Sequence, residues 1–464
     1  MADTFDIKEK HIHMVGIGGI GMSGIAELLI ESGIMITGSD IKDNPLIQRL
    51  IKKGAKINIG HKGIINEPDL VVRAFNIRNN NSDIKEAHER NIPIIFRSEF
   101  LKRIIDSRKV SISIAGTHGK TTTSAMISFL LEKGGFDPTI LVGGEMDFLG
   151  SNAKKGRSEI IVSEMDESDG FIRDMAVKYS VITNIEKDHM EYYKTMDNLT
   201  DAFNSFIKNT KEDGVLFYNY DDEILRDLSR SYKGEKISFG FSSKADIFAI
   251  NVKPEDVGMR FSCFFNGQEL GKCSLGVLGE HNVYNALASI AVAKKMGMSF
   301  SDIAGIIKDF KNVKRRFEVK YSANEVVIVE DYAHHPTEIS KIISVAKLLK
   351  KNRIIVVFQP HRFSRTMHLE QEFCECFSGV DKLILTDIYA ASEDPLDGIG
   401  LCNICFGVKE KGIKEAYIVP KADIVMTLFK EINVGDIVLI LGAGDVNEII
   451  PELVRKLDQK YELR

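Results

Sequence analysis

The stretch AGTHGKTTT sets Gly116, Gly119, Lys120 and Thr121 between an apolar run, VSISI, and a helix-like run that closes near Gly134. Small residues in such a turn let consecutive backbone N–H groups face a phosphate chain, and the helix N-terminus behind them adds partial positive charge. Lys120 can then reach the outer phosphates and Thr121 offers a hydroxyl to Mg²⁺, with Thr117, His118 and Thr122 completing the loop. That is the chemistry of an ATP site. The pattern departs from G-x-x-x-x-G-K-[ST], which would need glycine where Ile114 stands.

Two more apolar runs end in groups suited to the same ligand. SEIIVSEMDESDG carries Glu164, Asp166, Glu167 and Asp169 at its end, and YSVITNIEKDHMEYY leads to Asn184, Asp188 and His189. Ligands of open parallel sheets collect at the carboxyl ends of strands, where hard carboxylate oxygens suit Mg²⁺. Four acids in six residues also fit a solvated, helix-capping loop, and a lone histidine is commonly structural. Their convergence with Lys120 favours a site.

A second glycine-rich loop precedes all of these. VGIGGIGMSGIAELLIESG places Gly16, Gly18 and Gly21 after a strand-like HIHMV, and Asp40 follows where a ribose-binding acid would sit. The bare G-x-G-x-x-G is shared by dinucleotide enzymes, so an NAD(P)-dependent oxidoreductase or a non-catalytic nucleotide-binding regulator are alternatives. A hydride-transfer enzyme has no use for a second phosphate loop, and a regulator would not need Glu164 or His189.

The elements that must position these residues fall into three blocks. A chain of 464 residues exceeds what one core usually serves. Strand-like pieces alternate with helical ones in 1–108, a strand-loop-helix unit opens 109–314, and alternation resumes in 315–464 with EVVIVEDY, RIIVVFQP, KLILTDIY and DIVLILGAG. The expected fold is α/β in three domains: a Rossmann-like N-terminal domain, a central P-loop ATPase-like domain and a Rossmann-like C-terminal domain. Hydrophobic residues at 44% and charged residues at 27% describe a globular chain, and a net charge of −5 gives no reason for a nucleic-acid or membrane partner. MADTFDIKEK lacks a signal-peptide pattern, so the expected location is the cytoplasm. Cys374, Cys376, Cys402 and Cys405 superficially resemble zinc-ligand spacing, but a helical QEFCECF would point its two thiols apart.

Ten motifs then appear in register: GIGGIGMSGIAE, AGTHGKTTTSAM, SEMDESDG, TNIEKDHM, GEHNVYNALAS, RRFE, EDYAHHPTE, FQPHRFSRT, DIYAASE and LGAGD. Their order resembles that of the Mur ligases of bacterial cell-wall synthesis, over essentially the whole chain. The set is most similar to the members that join L-alanine to the lactyl carboxylate of UDP-N-acetylmuramate with ATP and Mg²⁺. A relative that recycles a whole tripeptide onto the same UDP-sugar is the nearest alternative.

The resemblance assigns roles residue by residue. Gly16, Gly18, Gly19, Gly21, Met22 and Ser23 match the loop that holds the UDP-sugar diphosphate, with Asp40 near the nucleotide. Lys120 would neutralise the β and γ phosphates, Thr121 and Glu164 would hold one Mg²⁺, and His189 matches the position of a second metal. Asn282 and Asn285 match the segment that meets adenine; three apart on a helix they share a face, and without the family an N-cap plus a solvent-facing amide fits equally. Arg316 matches an arginine that reaches ATP phosphate, although VKRRFEVK also reads as a solvated linker. Asp331 would help bind the nucleotide and His334 or His335 would lie near the amino acid. Arg362 and Arg365 are candidates to grip a carboxylate, because guanidinium forks match that geometry. A monomer or weak homodimer is expected. VVRAFNIRNNNSDI departs from the family pattern, which carries a small, serine-containing strand end where this chain has Arg73 and Phe75.

Overall fold

A computed structural model describes residues 7–255, 257–391, 393–396, 398 and 400–462. It contains three sheets, each built mainly of parallel strands. In the first, β1 (His11–Val15), β2 (Met35–Asp40), β3 (Lys56–Ile59), β4 (Leu70–Arg73) and β5 (Ile94–Phe96) lie in the order 3-2-1-4-5. The order reverses direction at β1, so the loop after Val15 sits at the switch point where such sheets bind ligands.

The central sheet has ten strands. These are β6 (Val110–Ala115), β7 (Thr139–Met146), β8 (Ser151–Lys154), β9 (Ile160–Glu164), β10 (Tyr179–Ile182), β11 (Val215–Asn219), β12 (Glu235–Gly240), β13 (Ile247–Pro254), β14 (Met259–Phe265) and β15 (Gln268–Leu275). They run in the order 15-14-13-12-11-10-6-9-7-8, with β6 flanked by β9 and β10. The parallel register sets Ile114 against Glu164 and Ala115 against Ile182. Three strand ends thereby bring the glycine loop, the acid cluster and the TNIE segment to one edge. The meander from β13 to β15 is antiparallel.

The third sheet holds β16 (Glu318–Ala323), β17 (Val326–Asp331), β18 (Arg353–Phe358), β19 (Lys382–Leu385), β20 (Glu415–Ile418) and β21 (Asp436–Leu441), in the order 16-17-21-18-19-20. Its inner strands are buried on both faces, which is why they read as unbroken apolar runs.

The chain separates into two compact units. One comprises residues 1–187 and 192–311; the other comprises 312–464 together with Asp188–Glu191. Within the first unit the helix Ile20–Glu31 lies on the central sheet. A Cβ at Gly24 would fall 2.6 Å from Asn152 Nδ2 and 2.7 Å from Leu141. Asn152 cannot swing away freely, because its amide donates to Ile20 O at 2.8 Å and to Val142 O at 3.3 Å. Beside it the buried Glu27 accepts from Ser151 Oγ at 2.8 Å and pairs with Lys53 at 2.5 Å. Gly24→Ala is therefore expected to destabilise this unit by about 1–3 kcal/mol, read as a lower denaturant midpoint with an unchanged slope. No helix among the described residues is long and apolar enough to cross a membrane.

Candidate active site

The first glycine loop is shaped by the side chains around it. Gly16 takes a left-handed φ of 82° and packs against Ala74, where a Cβ would lie 3.2 Å from that residue's own. Asp40 accepts from Gly18 N–H at 2.8 Å, and Asn44 donates to Gly18 O at 3.1 Å. The acid expected near a nucleotide thus also braces the loop from behind. Gly19 caps the helix, Gly21 faces Arg97, and Met22 and Ser23 turn inward, 2% and 1% exposed.

The second loop is held from three sides. Gly119 has φ 83° and would strike Asn285 Oδ1 with any Cβ, while Gly116 has φ 129° and abuts Thr183. His118 N–H donates to Asn184 Oδ1 at 2.9 Å, and His118 O accepts from Thr183 Oγ1 at 2.6 Å and Asn184 Nδ2 at 3.0 Å. His118 Nε2 lies 3.4 Å from Glu186, and Thr122 is buried in the first turn of the helix Lys120–Lys133. Thr123 donates to Asn285 at 3.1 Å, and Asn285 in turn donates to Asn282 at 3.1 Å. Both asparagines are buried, so neither is the solvent-facing amide that spacing alone allows. They brace the 116–121 loop through the helix Glu280–Lys295.

Lys120 donates to Gly116 O at 2.5 Å, Thr117 O at 3.1 Å and Glu167 Oε1 at 2.8 Å. Burial works against its charge, yet Glu167, Glu164 and Asp166 outweigh that and raise its pKa, so it stays an ammonium ion. Thr121 Oγ1 donates to Glu164 Oε1 at 3.0 Å, and the other carboxylate oxygen accepts from Gly143 N–H at 2.8 Å. A hydroxyl and a carboxylate oxygen side by side at a strand end, beside a fixed ammonium, are hard donors that fit Mg²⁺ bound with phosphate.

In the second unit, Asp331 ends β17 and is 1% exposed. It accepts from Phe317 N–H at 2.6 Å and Ala333 N–H at 2.7 Å. Burial pushes its carboxyl up to about 6, against the pull of Arg316 and those two N–H groups. The folded chain therefore holds a proton that the unfolded chain releases in the ordinary carboxylate range. This contribution to stability is complete below that range and is lost as pH rises through 6. Asp331→Asn should flatten that fall between about pH 4 and 6, measured as the difference in urea midpoints between variant and parent.

Arg316 lies 5.4 Å above the Tyr332 ring and 3.7 Å from Glu338, so it is packed rather than freely solvated. His335 caps the helix Pro336–Leu348 in a capping box with Glu338, and His334 Nδ1 meets Tyr332 O at 3.0 Å. Burial, with Arg365 beside it, lowers His334 to about 3; burial, with His334 and Arg365 beside it, lowers His361 to about 2. Both imidazoles are neutral at neutral pH. Arg365 makes a forked contact with Asp188, at 3.0 and 3.3 Å from one nitrogen, and Arg362 reaches Glu191 at 2.9 Å. His189, at φ 55°, lies 3.6 Å from Asp188 and 3.5 Å from Glu191. All six cysteines are free thiols.

Sequence reading missed Glu167 as the partner of Lys120, and Thr183 and Asn184 as clamps of the loop. The signal for the last two was the TN immediately after β10, a strand that neighbours β6.

Two glycine-rich loops at the carboxyl ends of parallel strands, on successive α/β domains followed by a third, are the arrangement of a nucleotide-using enzyme of several parts. The chain belongs to the Mur ligase family. Three family models match it in turn: Mur ligase family, catalytic domain, over 11–109; Mur ligase middle domain over 114–293; and Mur ligase, glutamate ligase domain, over 315–444. It is similar to the UDP-N-acetylmuramate–L-alanine ligase of Syntrophus aciditrophicus, 39% identical over 100% of this chain and 97% of the relative. That of Geotalea daltonii is 40% identical over 97% and 98%. The crystal structure of the UDP-N-acetylmuramate–alanine ligase of Thermotoga maritima superposes with a TM-score of 0.83 at 30% identity, covering 97% of this chain and 100% of that one. A murein peptide ligase from Psychrobacter arcticus shares the fold, with a TM-score of 0.74 at 22% identity over 97% and 98%.

Proposed function

We propose that this protein joins L-alanine to the lactyl carboxylate of UDP-N-acetylmuramate at the expense of ATP, in the synthesis of peptidoglycan precursors. The observation that carries this reading is the pairing of Lys120 with Glu167 beside the Thr121–Glu164 contact, in a chain alike end to end to ligases of that name.

A carboxylate is a poor acylating agent because its leaving group would be oxide. In the first step a carboxylate oxygen attacks the γ-phosphorus, the bond to the β,γ-bridging oxygen breaks, and ADP departs. In the second the amine of L-alanine attacks the acyl carbon, the acyl–oxygen bond breaks, inorganic phosphate leaves, and the amine gives up a proton. Both steps concentrate negative charge, so positioning and cations do most of the work. Lys120 holds the β and γ phosphates, the N–H groups of the 116–121 loop orient them, and Thr121 with Glu164 would hold Mg²⁺. Bound Mg²⁺ supplies charge neutralisation for the triphosphate. The Gly16–Ser23 loop would receive the UDP diphosphate, and Arg362, Arg365, His334 and His335 would serve the amino-acid side.

The test is release of phosphate from ATP and Mg²⁺, with and without UDP-N-acetylmuramate and each acceptor. Release that requires both the UDP-sugar and L-alanine, and is weaker with glycine or L-serine, is the expected result. Preference for the tripeptide would reassign the acceptor, and release indifferent to the UDP-sugar would overturn the reading.

A further inference from the structure

Phe75, Phe96 and Tyr192 leave an aromatic surface open between the two phosphate loops of the first unit. These residues are 50%, 37% and 45% exposed. Phe75 lies 6.2 Å from Phe96 and 6.5 Å from Tyr192, centroid to centroid. Contiguous rings held half in water mark a surface that something covers.

Each ring is tied to one of the loops. Phe96 ends β5 opposite Arg73 at the end of β4. The Arg73 guanidinium lies 4.5 Å over the Phe96 ring and donates to Asn79 at 2.6 Å, which fixes that ring from behind. Ala74, the neighbour of Phe75, is the residue on which Gly16 packs; Arg97, the neighbour of Phe96, covers Gly21 and pairs with Asp166 at 2.9 Å. Tyr192 stands on the opposite side. Its hydroxyl lies against Gly170, and its ring meets that of Tyr193 edge-on at 4.9 Å. Tyr193 in turn donates to Glu167 O at 2.5 Å, and Glu167 holds Lys120. The aromatic surface therefore reaches from the diphosphate loop to the acids around Lys120.

A substrate with its diphosphate on the first loop and its carboxylate near Lys120 must lay whatever joins them across these rings. In a UDP-N-acetylmuramate that joint is an N-acetylated hexopyranose. One face of such a ring presents C–H groups and is apolar enough to lie flat on an aromatic face. We propose that Phe75, flanked by the rings of Phe96 and Tyr192 at 47° and 75° to its own, is the stacking face of a platform for the N-acetylated hexose of the nucleotide-sugar substrate, and that this platform distinguishes it from the bare nucleotide. The proposal rests on the function given above. It also gives a role to Phe75 in the segment 71–82, where this chain departs from the family pattern.

Calorimetric titration of UDP and of UDP-N-acetylmuramate, separately, into the parent protein and into Phe75→Ala, Tyr192→Ala and the double variant tests it, with thermal midpoints as a control for folding. The parent should bind the UDP-sugar more tightly than UDP. Each single variant should lose about tenfold in UDP-sugar affinity, the double variant more, with affinity for UDP and the KM for ATP unchanged. Phe75→Leu, which keeps bulk without a ring face, should lose as much as alanine, while Phe75→Tyr and Tyr192→Phe should bind as the parent does. Equal weakening of UDP and the UDP-sugar, or an unchanged double variant, would overturn the platform alone. A parent protein that holds the UDP-sugar no better than UDP would overturn the platform and remove support from the ligase reading with it.

Discussion

Lys120→Ala is expected to lower UDP-sugar-dependent phosphate release by at least about 10³-fold, while leaving UDP-N-acetylmuramate binding near its parent value. The ammonium group is the one cation fixed inside the 116–121 loop, and charge accumulates on the phosphates in both steps. The substitution also takes from Glu167, a residue 1% exposed, the ammonium that donates to its carboxylate. Leaving one member of a buried pair alone costs about 3–5 kcal/mol, so a simple loss of activity would mix catalysis with folding. The double variant Lys120→Ala/Glu167→Gln separates them. It should recover most of the thermal midpoint and none of the turnover. Turnover within tenfold of the parent in either variant would remove Lys120 from the reaction.

The second large effect belongs to the C-terminal unit. Arg365→Ala should destabilise that unit by about 3–5 kcal/mol, seen as an early transition in denaturant unfolding. The guanidinium is 6% exposed and grips Asp188 through two nitrogens. Burial by itself would raise the Asp188 carboxyl, but Arg365, with the neighbouring histidines, holds it well below the usual range. Its stabilising share is thus present above the ordinary carboxylate pKa and is lost only as pH falls through the depressed folded value. Arg365→Lys should not restore stability, because an ammonium cannot reproduce the fork. A single transition at the parent midpoint for Arg365→Ala would show that the pair contributes nothing.

Much of this fold is legible in the residues because parallel strands buried on both faces must be continuously apolar, as in RIIVVF and DIVLIL. The loops are legible for a related reason: only glycine enters the left-handed turns at 16, 116 and 119 cheaply. What is hidden depends on pairings distant in the chain. Asp166, Glu167 and Asp169 look alike in sequence, and only the folded loop singles out Glu167 as the one that meets Lys120. Asn285 reads equally as a surface amide until the helix carrying it packs on the helix Lys120–Lys133. The antiparallel run from β13 to β15 lacks the helical punctuation that makes the other strands easy to separate. Phe75 and Tyr192 stand 117 positions apart, from 192 − 75, and no local pattern announces that they touch.

The interlock of Gly24 with Asn152, backed by Glu27 and Ser151, gives the proposed reaction a fixed gauge. In that reaction the diphosphate would sit at the loop before the helix Ile20–Glu31, and the seam joins this helix to the sheet that carries the second loop, so a donor one bond too long or too short would present its oxygen off the line of attack. Misplacement of about 1 Å can cost about 10²-fold in rate. Fidelity toward the acid would then depend on a joint some distance from the chemistry, and loosening that joint with Gly24→Ala should broaden the acids that support phosphate release before it abolishes release.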